Sequence, residues 1–462
     1  MFSPPKISGT VIDGETTSLK TNLTKYNING MIKKKRGENI MPQKSFNVVV
    51  NENKVRIYKM ENQLCVNDFI RNLQLALKWI KRNSLNTIEI ECLCAREHIF
   101  PDACLPISAI IQEFKIINNV EINITIKNNN YLKICHFDNP LNLPAEAISR
   151  SKNVLNKIYV YESKGGESDQ AVALNQAFVD CLSRTVECEE GVLKGLLWCI
   201  YEVMDNVLIH SKSDRGYVMA QYHKKTHRLA ICVHDCGVGI YNSLKEGAYK
   251  PKNELDAIRL ALQEGISDGN GQGNGLYGLS QFVKANGGRF IVSTGKSSLI
   301  FKNGQWSSNG RNPILSKNHL STTVDFQIDL NKKTDITEAL KSIGGIDDSD
   351  LRIENMLQVE TDTYIYVISQ NAQDFGTRQS GKYLRNDIIN ILRRTKRPIC
   401  IDFSEVLIAS SSFIDELIAQ MVIKLGYVQF NQLVSITNMN EDLTHLCNRA
   451  VAIRTNQEWN ER

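Results

Sequence analysis

The chain has little proline and no long apolar run. Only 10 of its 462 residues are proline and 28 are glycine, which argues against collagen-like and broadly disordered chains. No segment approaches the ~18 to 20 consecutive apolar residues of a membrane-spanning helix. The first residues, MFSPPKISGT, also lack the charged and apolar regions of a secretory signal. We therefore expect a protein without a membrane span or a signal peptide.

Cysteine usage and net charge argue against two further classes. The 12 cysteines are scattered, and neither close pair, Cys92/Cys94 or Cys232/Cys236, belongs to a CxxC…CxxC metal array. Scattered cysteines favour a cytoplasmic protein with reduced thiols. The formal net charge of +5 on 462 residues is too small to indicate a dedicated nucleic-acid-binding protein.

The length predicts about three domains, and the hydrophobic pattern indicates an α/β protein in which strands and helices alternate. We expect a flexible basic leader (1–45), a first α/β unit (46–148), a larger central unit (150–332), a linker (333–349) and a last α/β unit (350–455). In the first and the last α/β unit a strand, a short apolar turn, a helix and a strand follow one another, so we interpret these two units as divergent copies of one domain type.

The segment LKGLLWCIYEVMDNVLIHS predicts one long helix with two different faces. Its apolar residues recur at i, i+3 and i+4 and form a buried stripe. Glu202, Asn206 and His210 follow at intervals of four and share another face. Asp205 lies ~100° around the helix from Asn206, so we expect Glu202 to be the only carboxylate of that stripe. A carboxylate and an amide there can supply a base and a metal ligand, whereas His210 is expected to pack on the helix face.

Two glycine-rich segments follow this helix. The apolar strand HRLAICVHD ends at Asp235, and Gly237 and Gly239 come directly after it. An aspartate at a strand end can accept a hydrogen bond from an exocyclic amine, and glycines let a flat ring or a phosphate approach the backbone. The second segment, GISDGNGQGNGLYGLSQFVKANGG, places glycines before a helix whose N-terminal N–H groups can hold phosphate. The GxxxxGK[ST] motif of P-loop proteins is absent.

The order of these motifs resembles the GHKL ATP-binding domain, also called the Bergerat fold. The carrying motifs are E-x-x-x-N-x-x-x-H on a helix, D-x-G-x-G after a strand and G-x-G-L-x-G-L before a helix. That superfamily includes histidine kinases, gyrase, MutL, chaperone ATPases and anti-sigma-factor serine kinases. For residues 150–332 the resemblance implies an α/β sandwich in which helices cover one face of a mixed sheet.

The same resemblance implies a site for ATP and Mg²⁺. Glu202 would be the general base, Asn206 would ligate Mg²⁺, and Asp235 would bind the amino group of adenine. Residues 241–272 would form a mobile lid. The other cofactor-binding positions implied by the family are Gly237, Gly239, Gly273, Gly275, Leu276, Gly278 and Thr322.

The last unit resembles the STAS-like fold of anti-anti-sigma factors. The carrying residues are ICIDFSEVLIASSSFIDEL, a strand followed by serines and then a helix. A serine at this point accepts phosphate in that family, so the resemblance implies Ser412, or failing it Ser411, as a phosphoacceptor. The alternative is that one of these two serines only caps the helix. The first unit resembles this fold more weakly and has no serine at the corresponding turn.

These resemblances leave the activity open between an enzyme and a binding switch. We expect an ATPase or a serine/threonine kinase of the anti-sigma type, acting through its STAS-like domains. One alternative is an ATP-driven switch in protein binding with little or no catalysis, and another is a conformational clamp ATPase. Protein partners are expected at the STAS-like domains, a homodimer is compatible with each alternative, and nucleic acid is not expected.

Overall fold

The structure is a computed structural model, and it describes most of the chain. The described residues are 39–42, 46–51, 54–59, 66–92, 99–127, 130–142, 153–162, 168–269, 273–310, 320–341 and 350–461. Most of the expected leader therefore lies outside them. Strand β1 (Asn39–Pro42) nevertheless falls within that leader and pairs with β2 (Phe46–Asn51). The N-terminal sheet thus begins earlier than predicted, because β1 completes a backbone ladder along β2.

The N-terminal unit alternates strands and helices, as predicted. Its strands lie in the order β1-β2-β3-β4-β5. The pairs β3–β4 and β4–β5 are parallel because a helix crosses between the strands of each pair, whereas β1–β2 and β2–β3 are antiparallel. The remaining elements are β3 (Lys54–Lys59), α1 (Val66–Asn83), β4 (Thr87–Cys92), α2 (Pro101–Asn118), β5 (Glu121–Ile126) and α3 (Asn130–Ile134).

Helix α2 joins the N-terminal unit to the central one. Its residues Ile107 and Ile110 are at most 1% exposed. They belong to one hydrophobic cluster with Tyr217, Met219 and Cys232 of the central unit. The N-terminal unit therefore covers one face of the central sheet.

The central unit is built on a seven-stranded sheet in the order β11-β10-β9-β12-β8-β7-β6. Every pairing between these strands is antiparallel. The expected mixed sheet is therefore wrong in this detail, because consecutive strands such as β7 and β8 are joined by hairpins and not by helical crossovers. The strands are β6 (Ile158–Glu162), β7 (Arg215–His223), β8 (Arg228–Asp235), β9 (Arg289–Thr294), β10 (Ser297–Lys302), β11 (Gln305–Gly310) and β12 (Thr322–Asp329).

Helices cover the other face of this sheet. The main core there includes Phe178, Leu196, Phe282 and Phe326, each at most 1% exposed. Gly195 permits close helix packing, since a Cβ there would lie 2.1 Å from the Phe282 ring. The helices of this unit are α4 (Asp169–Thr185), α5 (Val192–His210), α6 (Gly239–Glu246), α7 (Glu254–Ala261) and α8 (Gly275–Asn286).

The segment expected as a linker packs on the central unit over its described part. Helix α9 (Ile336–Ala339) lies within it. Ile336 and Leu340 are 6% and 1% exposed and belong to the central core, and the Thr334 N–H donates to the Glu190 carbonyl at 3.0 Å. A plain linker is therefore wrong for 333–341, because two apolar side chains anchor that segment.

The C-terminal unit has a four-stranded sheet in the order β13-β14-β15-β16. β14, β15 and β16 are parallel. The elements are α10 (Leu351–Glu354), β13 (Leu357–Gln358), β14 (Thr363–Val367), α11 (Ile368–Asn371), α12 (Arg378–Thr395), β15 (Ile399–Asp402), α13 (Ser411–Ile414), a π-helical turn (Asp415–Ala419), α14 (Gln420–Leu425), α15 (Tyr427–Leu433), β16 (Val434–Thr437) and α16 (Glu441–Glu461).

No helix in the described part of the chain is long and apolar enough to cross a membrane.

The C-terminal unit contacts the central unit where α12 packs along α4. A side-chain bond crosses this interface, from Ser183 Oγ to Asp387 Oδ1 at 2.7 Å.

Candidate functional site

A cavity of about 660 Å³ opens in the central unit. Its walls come from α4, α5, α6, the ends of β8 and β12, and the segment that leads into α8. Gly237 and Gly278 lie outside its lining, and Ser411 and Ser412 belong to the C-terminal unit. The structure brings the other predicted site residues together at this cavity: Glu202, Asn206, Asp235, Gly239, Gly273, Gly275, Leu276 and Thr322.

Helix α5 supplies the acidic wall of the cavity. Its apolar stripe, which includes Val203 and Val207, is buried in the core, and this fixes the rotation of the helix. Glu202, Asp205 and Asn206 then line the cavity together. Glu202 is the only carboxylate on the stripe with Asn206, as expected, but Asp205, three residues after Glu202, also lines the cavity. The polar face of α5 is therefore wider than that stripe.

Asp235 lines the cavity and is only 3% exposed. Its Oδ1 accepts a hydrogen bond from the Gly237 N–H at 2.8 Å. Thr322 stands directly opposite it in the β8–β12 register and also donates to the carboxylate. Burial raises the pKa of Asp235 to about 7, against the lowering effect of the bonds from Gly237 and Thr322. Gly237 thus belongs to the site through its backbone.

The first residue of α8 lies against the polar face of α5. A Cβ on Gly275 would lie 2.5 Å from Glu202 Oε2 and 3.1 Å from Asn206 Nδ2. Glycine therefore lets the N-terminus of α8, with its free N–H groups, approach both side chains. Gly239 has a positive φ of 75°, and a Cβ there would lie 2.6 Å from Thr294 Oγ1.

The cavity is strongly acidic. Burial, and then the nearby Asp205 charge, raise the pKa of Glu202 to about 7, and burial also raises the pKa of Asp205. Asp235 and Asp268 add two more carboxyl groups to the walls, and the described lining contains neither lysine nor arginine. An anionic ligand would therefore need a cation to enter with it.

The segment expected to form a lid is tied to α5 by one carboxylate. Asp268 Oδ1 lies 3.0 Å from His210 Nδ1, and Asp268 Oδ2 accepts from Ser243 Oγ of α6 at 2.6 Å. His210 thus has a polar partner, and simple packing does not describe it. Helix α7 and most of α6 fall within the expected lid, and residues 270–272 lie outside the described residues. Whether this segment moves on ligand binding stays a prediction.

Sequence reasoning missed several residues of the cavity. Asp205 could have been found from its i+3 spacing to Glu202. Asp268 gave no signal, because its contact with His210 depends on how a loop folds over α5. Asn175 and Gln176 of α4 also line the cavity, although nothing in their local sequence marks them as functional.

The serine cluster of the C-terminal unit divides into one cap and two further serines. Ser410 Oγ accepts from the Phe413 N–H at 3.0 Å and donates to the Gly376 carbonyl at 2.8 Å. Ser410 is therefore the N-cap, and the alternative that Ser411 or Ser412 caps the helix is wrong. Ser411 is exposed and Ser412 is half-buried in the first turn.

Comparisons with known proteins bear mainly on this C-terminal unit. Residues 380–444 match the model of a STAS-like domain of unknown function, DUF4325. The predicted STAS-like character of this segment is therefore confirmed. Among solved structures, a crystal structure of full-length ShkA in complex with AMPPNP is similar at 9% identity over 75% of this chain and 69% of that chain, with a TM-score of 0.19. A likeness at that level carries no argument about function. No curated protein matches the chain.

Proposed function

We propose that the central unit is an ATP-binding domain of the GHKL type and that the chain is an Mg²⁺-dependent regulatory protein. The observation that carries the proposal is the convergence of Glu202, Asn206, Asp235, Gly275 and Thr322 on one cavity. These residues come from two helices and two strands that are distant in sequence. The cavity of about 660 Å³ also has the size usual for a cofactor site, ~300 to 1,000 Å³.

Each residue has a chemical part in this proposal. The Asp235 carboxylate accepts a hydrogen bond from the amino group of adenine, and Thr322 holds that carboxylate in place. The N–H groups at the start of α8 bind phosphate oxygens, which Gly275 allows to come close. Glu202 accepts a proton from the attacking water or hydroxyl group.

The residues present fit Mg²⁺. The Asn206 amide oxygen is a ligand of the kind that Mg²⁺ accepts, and the ion would take its remaining ligands from water and phosphate oxygens. The Nδ2 atom of Asn206 is buried without a hydrogen-bond partner among the described residues. An oxygen atom of a bound nucleotide would accept a hydrogen bond from this donor. When bound, Mg²⁺ neutralises phosphate charge.

The test of nucleotide binding is Asp235→Asn. We expect this variant to bind ATP·Mg²⁺ more weakly by ~1 to 3 kcal/mol, because one buried charge-assisted hydrogen bond is lost. Calorimetry on the full chain measures the affinity. Asp362→Asn, at an exposed ion pair with Arg397, is the matched control and should bind like the wild type. Failure of the wild type to bind ATP·Mg²⁺ would remove the proposal.

The rate of ATP turnover distinguishes an ATPase or kinase from a binding switch, the two activities that are compatible with this proposal. An ATPase or kinase should release or transfer the terminal phosphate, whereas a binding switch should hold ATP and change its protein partner with little turnover. Incubation of the purified chain with γ-labelled ATP distinguishes them. A clamp ATPase of the MutL or chaperone kind is disfavoured, since the segment after the central unit is STAS-like.

A second candidate function is phosphorylation of Ser412, or failing it Ser411. Ser410 already supplies the cap, which leaves the next two hydroxyls without a capping role. The acidic side chains Asp415 and Glu416 follow them, but both are paired with Arg378, at 2.9 and 3.0 Å. Their charges therefore oppose an added phosphate less than the sequence suggests, and the helix N-terminus favours it.

The geometry favours transfer between two chains. Ser410 is bonded to Gly376, just before α12 begins. At the other end of α12, Arg394 is paired with Asp350, which in turn accepts a hydrogen bond from Gln176 of the cavity wall. The 18 residues of α12 span roughly 27 Å. The serines thus stand about one helix length from the cavity of their own chain.

We expect phosphate on the peptide 398–424 after incubation with ATP·Mg²⁺, at a rate that rises with protein concentration. Mass spectrometry measures it, and Glu202→Ala serves as the control without phosphotransfer. Ser412→Ala and Ser411→Ala assign the acceptor. Hydrolysis without phosphate on this peptide would leave the ATP-driven binding switch as the better account.

A further inference from the structure

Helix α4 extends from the cavity to the C-terminal unit. In its first half, Val172, Asn175 and Gln176 line the cavity. Near its end, its side chains and its last backbone carbonyls contact α12. A helix of 17 residues is about 25 Å long and is held rigid by its own hydrogen bonds. A shift imposed at one end of α4 is therefore transmitted to the other.

An asparagine of α12 binds the backbone where α4 ends. Asn390 makes three bonds of 2.8 Å: its Nδ2 donates to the carbonyls of Ser183 and Val186, and its Oδ1 accepts from the N–H of Cys188. Asn386 makes longer contacts, at 3.3 Å, with carbonyls of the same turn. The last four carbonyls of a helix have no partner within it. The C-terminal unit thus supplies partners that α4 itself lacks.

A buried charge cluster strengthens this contact. The Asp387 side chain is fully buried and accepts from Ser183 Oγ at 2.7 Å. The Arg352 guanidinium donates to the same carboxylate at 2.7 and 2.9 Å, and its Nε lies 3.0 Å from Asp180 Oδ1 on α4. Arg352 therefore bridges a carboxylate of α12 and a carboxylate of α4.

Gln176 belongs to both the cavity and this contact. It lines the cavity, and its Nε2 donates to Asp180 Oδ1 at 2.9 Å and to Asp350 Oδ1 at 3.0 Å. Asp350 lies in the C-terminal unit, where Arg394 pairs with it. One side chain thus connects the cavity wall to both carboxylates.

We propose that the STAS-like unit regulates the nucleotide site through α4, so that docking of α12 on α4 and binding of ATP strengthen each other. The inference rests on the proposed ATP site. Docking holds Gln176 in the cavity wall through its bond to Asp350, and a nucleotide that packs on this wall holds α4 in its docked position. By linkage, docking raises the affinity for ATP by the same factor by which ATP stabilises docking.

The test compares Asn390→Ala with the wild type. Removal of the amide leaves the Ser183 and Val186 carbonyls and the Cys188 N–H without this partner, so docking is weakened. We expect the affinity for Mg²⁺ and a non-hydrolysable ATP analogue, measured by calorimetry, to fall at least about fivefold. Arg397→Ala is the matched control, because it removes only the exposed pair with Asp362 within the C-terminal unit. Its affinity should equal that of the wild type.

Hydrogen exchange on the wild type gives a second readout that needs no variant. Amide exchange in 378–395 should be slower in the presence of the Mg²⁺-loaded analogue. If the wild type binds no analogue, the proposed ATP site fails. If the analogue binds with equal affinity to wild type and folded Asn390→Ala, or if exchange in 378–395 is the same with and without it, the coupling fails and the ATP site stands.

Discussion

Glu202→Ala is expected to lower phosphate release or transfer from ATP by ~10²- to 10⁴-fold, the usual contribution of a general base. Affinity for ATP should stay close to that of the wild type, because the adenine contacts at Asp235 are untouched. Labelled ATP measures turnover, and calorimetry measures binding. A Glu202→Ala protein that turns over ATP like the wild type would place the base elsewhere.

The pH profile gives an independent check on this role. Burial, followed by the charge of Asp205, raises the pKa of Glu202 to about 7. Only the ionised carboxylate accepts a proton, so turnover should rise with pH through about 7 and level off above it. Asp205→Asn removes the repelling charge and should move this rise to lower pH. An identical midpoint in both proteins would show that Glu202 does not set the profile.

Local pattern and the family resemblance together predicted the residues at the centre of the candidate site. The apolar stripe of α5 fixes the rotation of the helix, and Glu202 and Asn206 then face the cavity as their spacing indicated. Asp235 follows from its position at the end of an apolar strand, and Thr322 lies opposite it in the sheet register. The contacts alone do not assign a chemical role to these residues, so their proposed roles depend on the family resemblance.

What the sequence did not predict depends on contacts between distant segments. Apolar residues of α2, such as Ile107, indicate a buried helix, but not that it packs on the central sheet. Asp268 reaches His210 only because the segment after α7 folds back over α5. Ile336, Ala339 and Leu340 in the expected linker have helical spacing, but three apolar residues in a polar segment form a pattern too short to predict the burial of Ile336.

The two proposed activities make different use of α4. A kinase needs the serines of one chain to reach the cavity of another, while a switch needs only that the state of the cavity alters the STAS-like unit. For the proposed switch, the contacts of α4 from Gln176 at the cavity to Ser183 at α12 connect the cavity to the STAS-like unit of the same chain. Coupling without phosphotransfer would thus be sufficient for regulation.

The second large effect is expected from Arg352→Ala, which should lower the free energy of unfolding by ~3 to 5 kcal/mol. Removal of one partner of a buried ion pair leaves the other charge poorly compensated. The side chain of Asp387 has no solvent exposure, and the Arg184 Nε that remains beside it lies 3.6 Å from Asp387 Oδ2. Urea unfolding measures the loss. Arg397→Ala, at an exposed ion pair with Asp362, is the control and should cost ~0 to 1 kcal/mol. Equal losses in the two variants would contradict the buried-charge account.

Acid should narrow the gap between wild type and Arg352→Ala. Burial alone would raise the pKa of Asp387, but the charges of Arg352 and Arg184 and the bond from Ser183 lower it to about 2. A carboxyl group with a lowered pKa stabilises the fold above its unfolded value, near 4, and loses that contribution as pH falls through the folded value. Without Arg352, the buried charge of Asp387 lowers the free energy of unfolding, and protonation of this carboxylate at low pH removes that loss. The stability difference should therefore be largest near pH 7 and shrink from about pH 4 toward pH 2, whereas a difference that is constant with pH would assign the loss to packing.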